Sequence, residues 1–322
     1  MEPITPNTVT RKYRKSLLTF DDIPTQDDAF RRRLDRLQRF GARDIPLLVL
    51  GESGVGKNVV CQAVHNASRR HAAPFRAKNL ASLRIETIES ELRGHVRGAY
   101  TGAHANRKGL FVAAKRGTLL LDELGKVALP LQYTLLDILE SKQLTPMGSD
   151  DPVEVDVRLL FAANLTREDL RREDLLCPDL VARIGQAVFV IPPLRERIGD
   201  IPLLAERMLA EIAAQERLNA PPELSPEALA ALARRRWMGN LRELRSTLAC
   251  AVVEGGTRVI REQHLPSEEQ SIRSDQPPRT LVEIEYQMVQ QALRSCDGLH
   301  KRAARQLGVG VNRIRRILRR RA

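Results

Sequence analysis

Residues 46–57, Pro-Leu-Leu-Val-Leu-Gly-Glu-Ser-Gly-Val-Gly-Lys, decide the fold of this chain. The apolar run 46–50 has the composition of a buried β-strand, and the residues after Lys57 have the apolar spacing of a helix. The three glycines between them let backbone N–H groups close around phosphate oxygens, where a side chain would collide. A strand, a glycine loop, a lysine and a helix in this order predict a site for nucleotide phosphates.

The alternative for this stretch is a glycine-rich turn followed by an ordinary surface lysine. The strand before it and the helix after it favour the phosphate site. The residues predicted to hold the nucleotide are Gly51, Glu52, Ser53, Gly54, Val55, Gly56, Lys57 and Asn58. Asn58 stands where the pattern has a Ser or Thr whose hydroxyl binds Mg²⁺, and its amide oxygen could take part only through water.

A second apolar strand, residues 117–121, ends in two carboxylates, Asp122 and Glu123. In nucleotide hydrolases with a phosphate loop, such an Asp helps to hold Mg²⁺ and such a Glu polarises the attacking water. The metal ligands predicted here are Asp122 and Asn58. The alternative is an acid pair that caps a helix.

Two more short segments, residues 74–80 and 157–164, predict further strands, and the sequence predicts helices over 29–40, 58–70 and 130–143. This alternation is typical of a parallel sheet flanked by helices. Ligands bind outside the carboxyl ends of such strands, so we expect Lys57, Asp122 and Asn164 to converge there.

Composition indicates a cytoplasmic, DNA-binding protein. The 322 residues contain no apolar run long enough for a membrane span, and the four cysteines lack C-x-x-C spacing, which favours reduced thiols. The net charge is +12, and residues 298–322 contain nine Lys or Arg and no carboxylate side chain. The basicity is therefore concentrated in the tail, which indicates nucleic acid as its partner.

The tail itself has the pattern of a helix-turn-helix. A short helix over 300–307, a glycine turn over 308–310 and a basic helix over 311–321 follow a helix that begins near Thr280. A solvated basic helix is the alternative. The residues predicted to contact DNA are Lys301, Arg302, Asn312, Arg313, Arg315, Arg316 and Arg319.

Residues 94–103 contain three glycines and one aromatic side chain, Tyr100. This composition predicts a mobile loop with a single apolar tip that could press on a partner. The alternative is a floppy surface hairpin without a partner.

Taken together, residues 28–322 resemble the bacterial enhancer-binding proteins, the AAA+ activators of sigma-54 RNA polymerase. Gly-Glu-Ser-Gly-Val-Gly-Lys at 51–57 is close to their phosphate loop. Gly-Ala-Tyr-Thr-Gly-Ala at 98–103 is similar to their sigma-contacting loop, with Tyr100 in place of Phe, and residues 191–197 and 237–244 match two further signatures. The resemblance implies that sigma-54 is contacted by Gly98, Ala99, Tyr100, Thr101, Gly102 and Ala103.

The resemblance also implies roles in a shared ATPase site. Asn79 would switch Glu123 with nucleotide state, Asn164 would be sensor I, and Arg242 would be sensor II on the nucleotide. Arg183 would reach into the neighbouring subunit. The implied catalytic residues are Asp122, Glu123, Arg183, Asn79 and Asn164.

Three positions depart from the family pattern: Asn58, Arg93 where Phe is usual, and Cys177 where the first of two trans-acting arginines is expected, Arg183 matching the second. An arginine supplied in trans is worth about 10³–10⁵ in rate in other nucleotide hydrolases. A hydrolysis-impaired relative that acts as a partner subunit or repressor is therefore one alternative. A AAA+ replication or recombination factor is another, which the 98–103 loop disfavours.

The predicted fold is an α/β AAA+ P-loop parallel sheet flanked by helices, with an α-helical lid and a separate all-α helix-turn-helix of Fis type. The expected function is activation of sigma-54 RNA polymerase from upstream double-stranded DNA with ATP and Mg²⁺, by a dimer that forms a ring-shaped hexamer when active. We expect no receiver domain and control by abundance or a trans-acting partner. The predicted domains are a short flexible segment 1–28, the nucleotide-binding subdomain 29–195, the lid 196–261, a linker 262–279 and the DNA-binding domain 280–322.

Overall fold

A computed structural model describes residues 18–83, 87–255 and 258–267, and the single positions 289, 293, 296, 299, 300, 302, 304, 307 and 314. The chain divides into two compact units, Met1–Leu265 and Pro266–Ala322. Within the described residues, no helix combines the length and the apolar character that crossing a bilayer requires.

The strands of the first unit are β1 (Leu47–Leu50), β2 (Phe75–Asn79), β3 (Gly94–His95), β4 (Arg107–Lys108), β5 (Thr118–Asp122), β6 (Gln143–Leu144), β7 (Val153–Glu154), β8 (Arg158–Ala163), β9 (Val188–Val190), β10 (Glu223–Leu224) and β11 (Val259–Ile260). Its α-helices are α1 (Asp28–Gly41), α2 (Lys57–Asn66), α3 (Ile88–Arg93), α4 (Leu110–Ala113), α5 (Leu129–Ser141), α6 (Pro178–Ile184), α7 (Ile201–Glu216), α8 (Pro226–Arg234) and α9 (Asn240–Gly255).

Five parallel strands form the main sheet in the order β2-β5-β8-β1-β9. Every residue of β1 and β8 is buried, which explains why β1, and β8 after its first residue Arg158, have continuous apolar runs rather than alternating ones. The parallel α/β fold predicted from the sequence is confirmed. The predicted strand and helix segments fall within a few residues of β1, β2, β5, β8, α1, α2 and α5.

The core has one hydrophobic layer on each face of the sheet. Successive strand residues point to opposite faces, so Leu47 and Val49 pack with α1 and α2, whereas Leu48 and Leu50 pack with the helices on the other side, among them α5 and α6. This arrangement covers both faces of the sheet, so a site can form at the edge where the carboxyl ends of the strands meet.

Part of the segment predicted to be flexible, residues 1–28, packs on this core. Phe20 and Ile23, in and beside a 3-10 turn over Phe20–Asp22, are buried with the apolar face of α1. Two isolated apolar residues among prolines and charges carry no periodicity, so the sequence did not reveal the contact. Residues 1–17 lie outside the described part of the chain.

The lid is a helical layer of α7, α8 and α9 around Trp237. The indole N–H of Trp237 donates to the carbonyl oxygen of Leu232 at 2.9 Å, and the ring is 1 % exposed. Leu265 is buried in the same cluster, beyond a 3-10 turn over Glu262–His264. The first residues of the predicted linker 262–279 therefore pack with the lid.

In the second unit, Val289, Ala304 and Ile314 are buried, and positions 300, 302 and 304 are helical. Arg302 is exposed, as a DNA contact requires. The other predicted DNA contacts lie outside the described residues: Lys301, Asn312, Arg313, Arg315, Arg316 and Arg319.

A buried ion pair joins the lid to the residues before α1. Arg197 Nη1 lies 3.6 Å from Asp200 Oδ2, and both side chains are almost fully buried. Asp200 also accepts hydrogen bonds from the hydroxyl of Thr25 at 2.8 and 3.0 Å and from the backbone N–H of Gln26 at 2.6 Å. Its carboxylate therefore fixes the chain that leads into α1.

We expect Asp200→Ala to lower the free energy of unfolding by about 3–5 kcal/mol, because it leaves Arg197 charged and unpaired in the interior. Urea denaturation followed by circular dichroism measures the change. Asp35→Ala, which removes an exposed carboxylate from α1, is the control. Equal midpoints for the two variants would contradict the assignment.

Candidate functional site

The loop between β1 and α2 has the geometry of a phosphate cradle. Gly51, Gly54 and Gly56 all have positive φ, at 148°, 81° and 101°, a backbone conformation that side chains rarely permit. Gly56 is the N-cap of α2, and no side chain caps the first N–H groups of that helix. Uncapped N–H groups at a helix start attract anions, so the loop fits a phosphate group.

Lys57 lies inside this loop with 6 % of its surface exposed. Its Nζ donates to the carbonyl oxygens of Gly51 at 2.8 Å and Glu52 at 3.0 Å. Burial lowers the pKa of Lys57, and the negative charges of Asp122 and Glu123 oppose that shift. The ammonium group is thus held at the centre of the cradle, where a phosphate oxygen can take the place of a carbonyl.

The carboxylates predicted from the sequence lie at the same edge of the sheet. Asp122 ends β5, beside Asn79 at the end of β2, and the two are register partners. Glu123 follows in a left-handed conformation with φ 63°, which costs a residue other than glycine about 1–3 kcal/mol and is commonest at functional sites. Its carboxylate pairs with Lys126 at 3.1 Å, and Asn79 Oδ1 accepts from the N–H of Ala81 at 2.9 Å.

Contacts from the lid close over the phosphate loop. Arg242, the predicted sensor II residue, donates from Nη1 to the hydroxyl of Ser53 at 2.9 Å. The guanidinium of Arg195 donates two hydrogen bonds to the carboxylate of Glu52, at 2.5 and 2.8 Å. The side-chain amide of Asn240 donates to Glu52 Oε2 and to the carbonyl oxygen of Ser53. The lid therefore contacts the nucleotide loop directly.

Arg195 and Asn240 were missed as site residues by the sequence reasoning. Both lie in the two signature stretches, 191–197 and 237–244, so a signal was present, but nothing in either stretch shows that it reaches residue 52. The hydrogen bonds from Arg195 are the main reason why the pKa of Glu52 is lowered, which keeps the carboxylate charged.

An open cavity of about 900 Å³ adjoins the loop on the β9 side. Asn164, the predicted sensor I residue, lines it together with Gly51, Glu52 and Arg195, whereas Lys57 and Asp122 do not. Asn164 follows Ala163, the register partner of Leu50. The structure therefore places Asn164 beside the phosphate loop, as expected for residues that follow adjacent parallel strands.

Asn58 is exposed on the first turn of α2. Among the described residues, no group of three or more His, Cys, Asp or Glu side chains is arranged to hold a metal ion. The predicted metal ligands Asp122 and Asn58 would hold Mg²⁺ together with phosphate oxygens. Such sparse protein ligation is ordinary for Mg²⁺ bound with a nucleotide.

Arg183 is exposed in the last turn of α6. Cys177, at the position where the family pattern has a further arginine, is fully buried as the N-cap of α6, and its N–H donates to Gln132 Oε1 at 2.8 Å. The nearby Arg172 pairs with Asp174 at 2.8 Å. Arg183 is thus exposed to solvent on α6, and Arg171 is exposed in the 3-10 turn Asp169–Arg171.

Residues 98–103 cap a short hairpin whose strands are β3 and β4. At the tip, the N–H of Gly98 donates across the loop to the carbonyl oxygen of Ala103 at 2.9 Å, and the N–H of Ala103 closes a turn by donating to the carbonyl oxygen of Tyr100 at 3.0 Å. Tyr100 is 41 % exposed and meets the ring of the buried His95 edge-on, with centroids 5.1 Å apart. The loop presents one aromatic side chain on a supported stem.

The fold and the phosphate loop define a nucleotide-binding protein of the AAA+ class. A family model described as the Sigma-54 interaction domain matches residues 23–189, one for the AAA+ ATPase lid domain matches 195–281, and one for bacterial regulatory proteins of the Fis family matches 280–320. The chain belongs to the sigma-54 activator family, the bacterial enhancer-binding proteins.

Among its relatives, the transcriptional regulatory protein GlrR of Escherichia coli is 35 % identical over 89 % of this chain and 65 % of its own length. The regulator NtrC of Klebsiella pneumoniae is 37 % identical over 92 % of this chain and 68 % of its own. The crystal structure of NtrX from Brucella abortus in complex with ATP is 26 % identical, with a TM-score of 0.69 over 92 % of this chain and 68 % of that one. The chain thus spans about two thirds of the length of these relatives.

We expect Lys57→Ala to weaken ATP binding about 10- to 100-fold, the loss of one charge-assisted interaction with phosphate. Isothermal titration calorimetry with a non-hydrolysable ATP analogue measures the affinity. Lys115→Ala, at an exposed lysine remote from the loop, is the matched control. Unchanged affinity in Lys57→Ala would remove the assignment of the nucleotide site.

Proposed function

We propose that this chain is an ATP-dependent transcription activator that binds DNA upstream of promoters and remodels sigma-54 RNA polymerase. The observation that carries the proposal is the 98–103 loop. Its exposed Tyr100 is held on a stem within the same subdomain as the phosphate loop, and the sequence of that loop matches the sigma-contacting hexapeptide with one aromatic exchange. The Fis-type match at 280–320 supports DNA as the partner of the second unit.

In this proposal each residue near the sheet edge has a separate role in ATP hydrolysis. Lys57 and the loop N–H groups bind the phosphates, and Asp122 with Asn58 holds Mg²⁺. Glu123 polarises the attacking water once it leaves Lys126, and Asn79 controls that exchange. Asn164 and Arg242 contact the nucleotide as sensors. Asn79, Asp122 and Asn164 lie at one edge of the sheet, at the ends of parallel strands.

Assembly completes the site. Arg183 is exposed on α6 and has no ion pair within the described part of the chain, so it is available to a nucleotide on a neighbouring subunit. The proposed active form is therefore a ring, with a hexamer as the expected size. In the proposed assembly, the subdomain 29–195 and the lid 196–261 form the ring. The linker 262–279 joins them to the DNA-binding domain 280–322.

We expect ATP turnover per chain to rise with protein concentration, because each site needs a neighbour. Arg183→Ala should lower turnover by about 10³-fold or more at the highest concentration while ATP affinity stays within about twofold. Coupled-enzyme assays across a dilution series measure both effects. The exposed Arg217, in the lid, provides the control variant Arg217→Ala.

A specific observation supports a second candidate function. Cys177 is buried and cannot supply the missing cation, and Asn58 lacks the hydroxyl that usually binds Mg²⁺. Concentration-independent turnover close to background, together with normal ATP binding, would favour a partner subunit or repressor over a self-sufficient activator.

We expect Thr101→Ala to abolish binding to sigma-54 while DNA binding and ATP turnover stay unchanged, because residue 101 lies at the exposed tip, remote from the phosphate loop. Pull-down of sigma-54 with ADP and a metal-fluoride transition-state analogue reads out the contact. Thr101→Ser, which keeps the hydroxyl, should retain binding. Full activity in Thr101→Ala would refute the loop assignment.

A further inference from the structure

One carboxylate connects the strand that ends at the nucleotide site to the stem of the 98–103 loop. Glu91, in the short helix α3, lies with Oε2 3.8 Å from Lys78 Nζ and with Oε1 2.6 Å from Arg107 Nη2. Its side chain is 18 % exposed. Partial burial of both Glu91 and Lys78 limits screening of that pair by solvent, whereas the Arg107 side chain is exposed and its pair is screened more strongly.

The two cations belong to opposite ends of the proposed mechanism. Lys78 immediately precedes Asn79, whose register partner is Asp122. Arg107 is in β4 and is the register partner of His95 in β3, so it forms part of the loop stem. A movement of the end of β2 therefore changes the position of a cation that shares its anion with the stem.

Ser90, the residue next to Glu91, is connected to the tip of the loop through His95. Ser90 Oγ lies 2.7 Å from Nδ1 of the buried His95, whose ring contacts Tyr100. A Cβ added at Gly109 would collide with the carbonyl oxygen of Leu92, so the backbone after β4 is packed directly against α3. The helix and the stem are thus too closely packed to shift independently.

We propose that Glu91 is a positioning residue that couples the state of the nucleotide site to the position of the 98–103 loop. The proposal rests on the nucleotide-binding part of the proposed function. When β2 and Asn79 respond to nucleotide, Lys78 moves relative to Glu91, and α3 carries Arg107 and His95 with it. The coupling is the change that nucleotide binding makes in the free-energy difference between two loop positions. Glu91 contributes to it because it contacts both Lys78, beside the nucleotide site, and Arg107, in the loop stem.

The first test measures the position of the 98–103 loop in the absence of sigma-54. Arg97 is exposed beside the loop tip, so the rate of trypsin cleavage after Arg97 reports the loop position with and without a non-hydrolysable ATP analogue. We expect the wild-type rate to change about fivefold or more on nucleotide binding, the lower end of typical coupling factors. In Glu91→Gln the change should vanish while ATP affinity stays within about twofold of wild type.

Two further variants separate positioning from mere stability. Glu89→Gln removes an exposed carboxylate from the same helix and should leave the nucleotide response intact. The triple exchange Glu91→Lys with Lys78→Glu and Arg107→Glu restores both ion pairs with reversed charge, so it should recover the response that Glu91→Gln loses. Thermal unfolding by circular dichroism confirms that each variant folds.

The outcomes are distinct. A nucleotide response that persists in Glu91→Gln, or a wild-type rate that nucleotide does not change, overturns the proposal. A loss of ATP affinity and melting temperature together in Glu91→Gln, with no recovery in the triple exchange, overturns it in favour of a structural role. If the response depends on Glu91 as expected but the wild-type chain does not bind sigma-54 in the pull-down, the coupling stands and the proposed function fails.

Discussion

The pairing of β1 with β8 on one side and β9 on the other is the constraint on which the rest of the structure depends. It buries Leu47–Leu50, and the chain leaves the sheet at Gly51. The loop that follows can turn back only through glycines with positive φ. The same parallel pairing brings Asn79, Asp122 and Asn164 to that edge, because parallel strands end on the same side.

The phosphate loop follows strand β1 of the sheet and also accepts hydrogen bonds from the lid. Arg195 and Asn240 share the carboxylate of Glu52, and Arg242 holds Ser53, so the loop and the lid form one hydrogen-bonded network. Each charged group in it has a partner of opposite charge or a hydrogen bond. The lid and the strand ends therefore both lie next to the loop that is predicted to bind phosphate.

Local patterns explain how much of this could be predicted. Apolar runs and helical spacing located four strands of the main sheet, β1, β2, β5 and β8, and the helices α1, α2 and α5. Glycines at fixed intervals located the phosphate loop, because such features arise within a few residues. The contacts of Arg195 with Glu52 could not be predicted, since 143 residues separate the partners and neither stretch specifies the other. The same is true of Glu91, which looks like one more surface carboxylate until Lys78 and Arg107 are placed beside it.

The sequence by itself determined the parallel α/β class, the phosphate loop and the family, because these depend on residue types at short, fixed spacings. The tertiary structure alone decided that the lid contacts Glu52, that Phe20 and Ile23 belong to the core, that Cys177 is buried, and that Glu91 lies between Lys78 and Arg107. Those features depend on distances between residues far apart in the chain, and such distances exist only once the hydrophobic layers have packed.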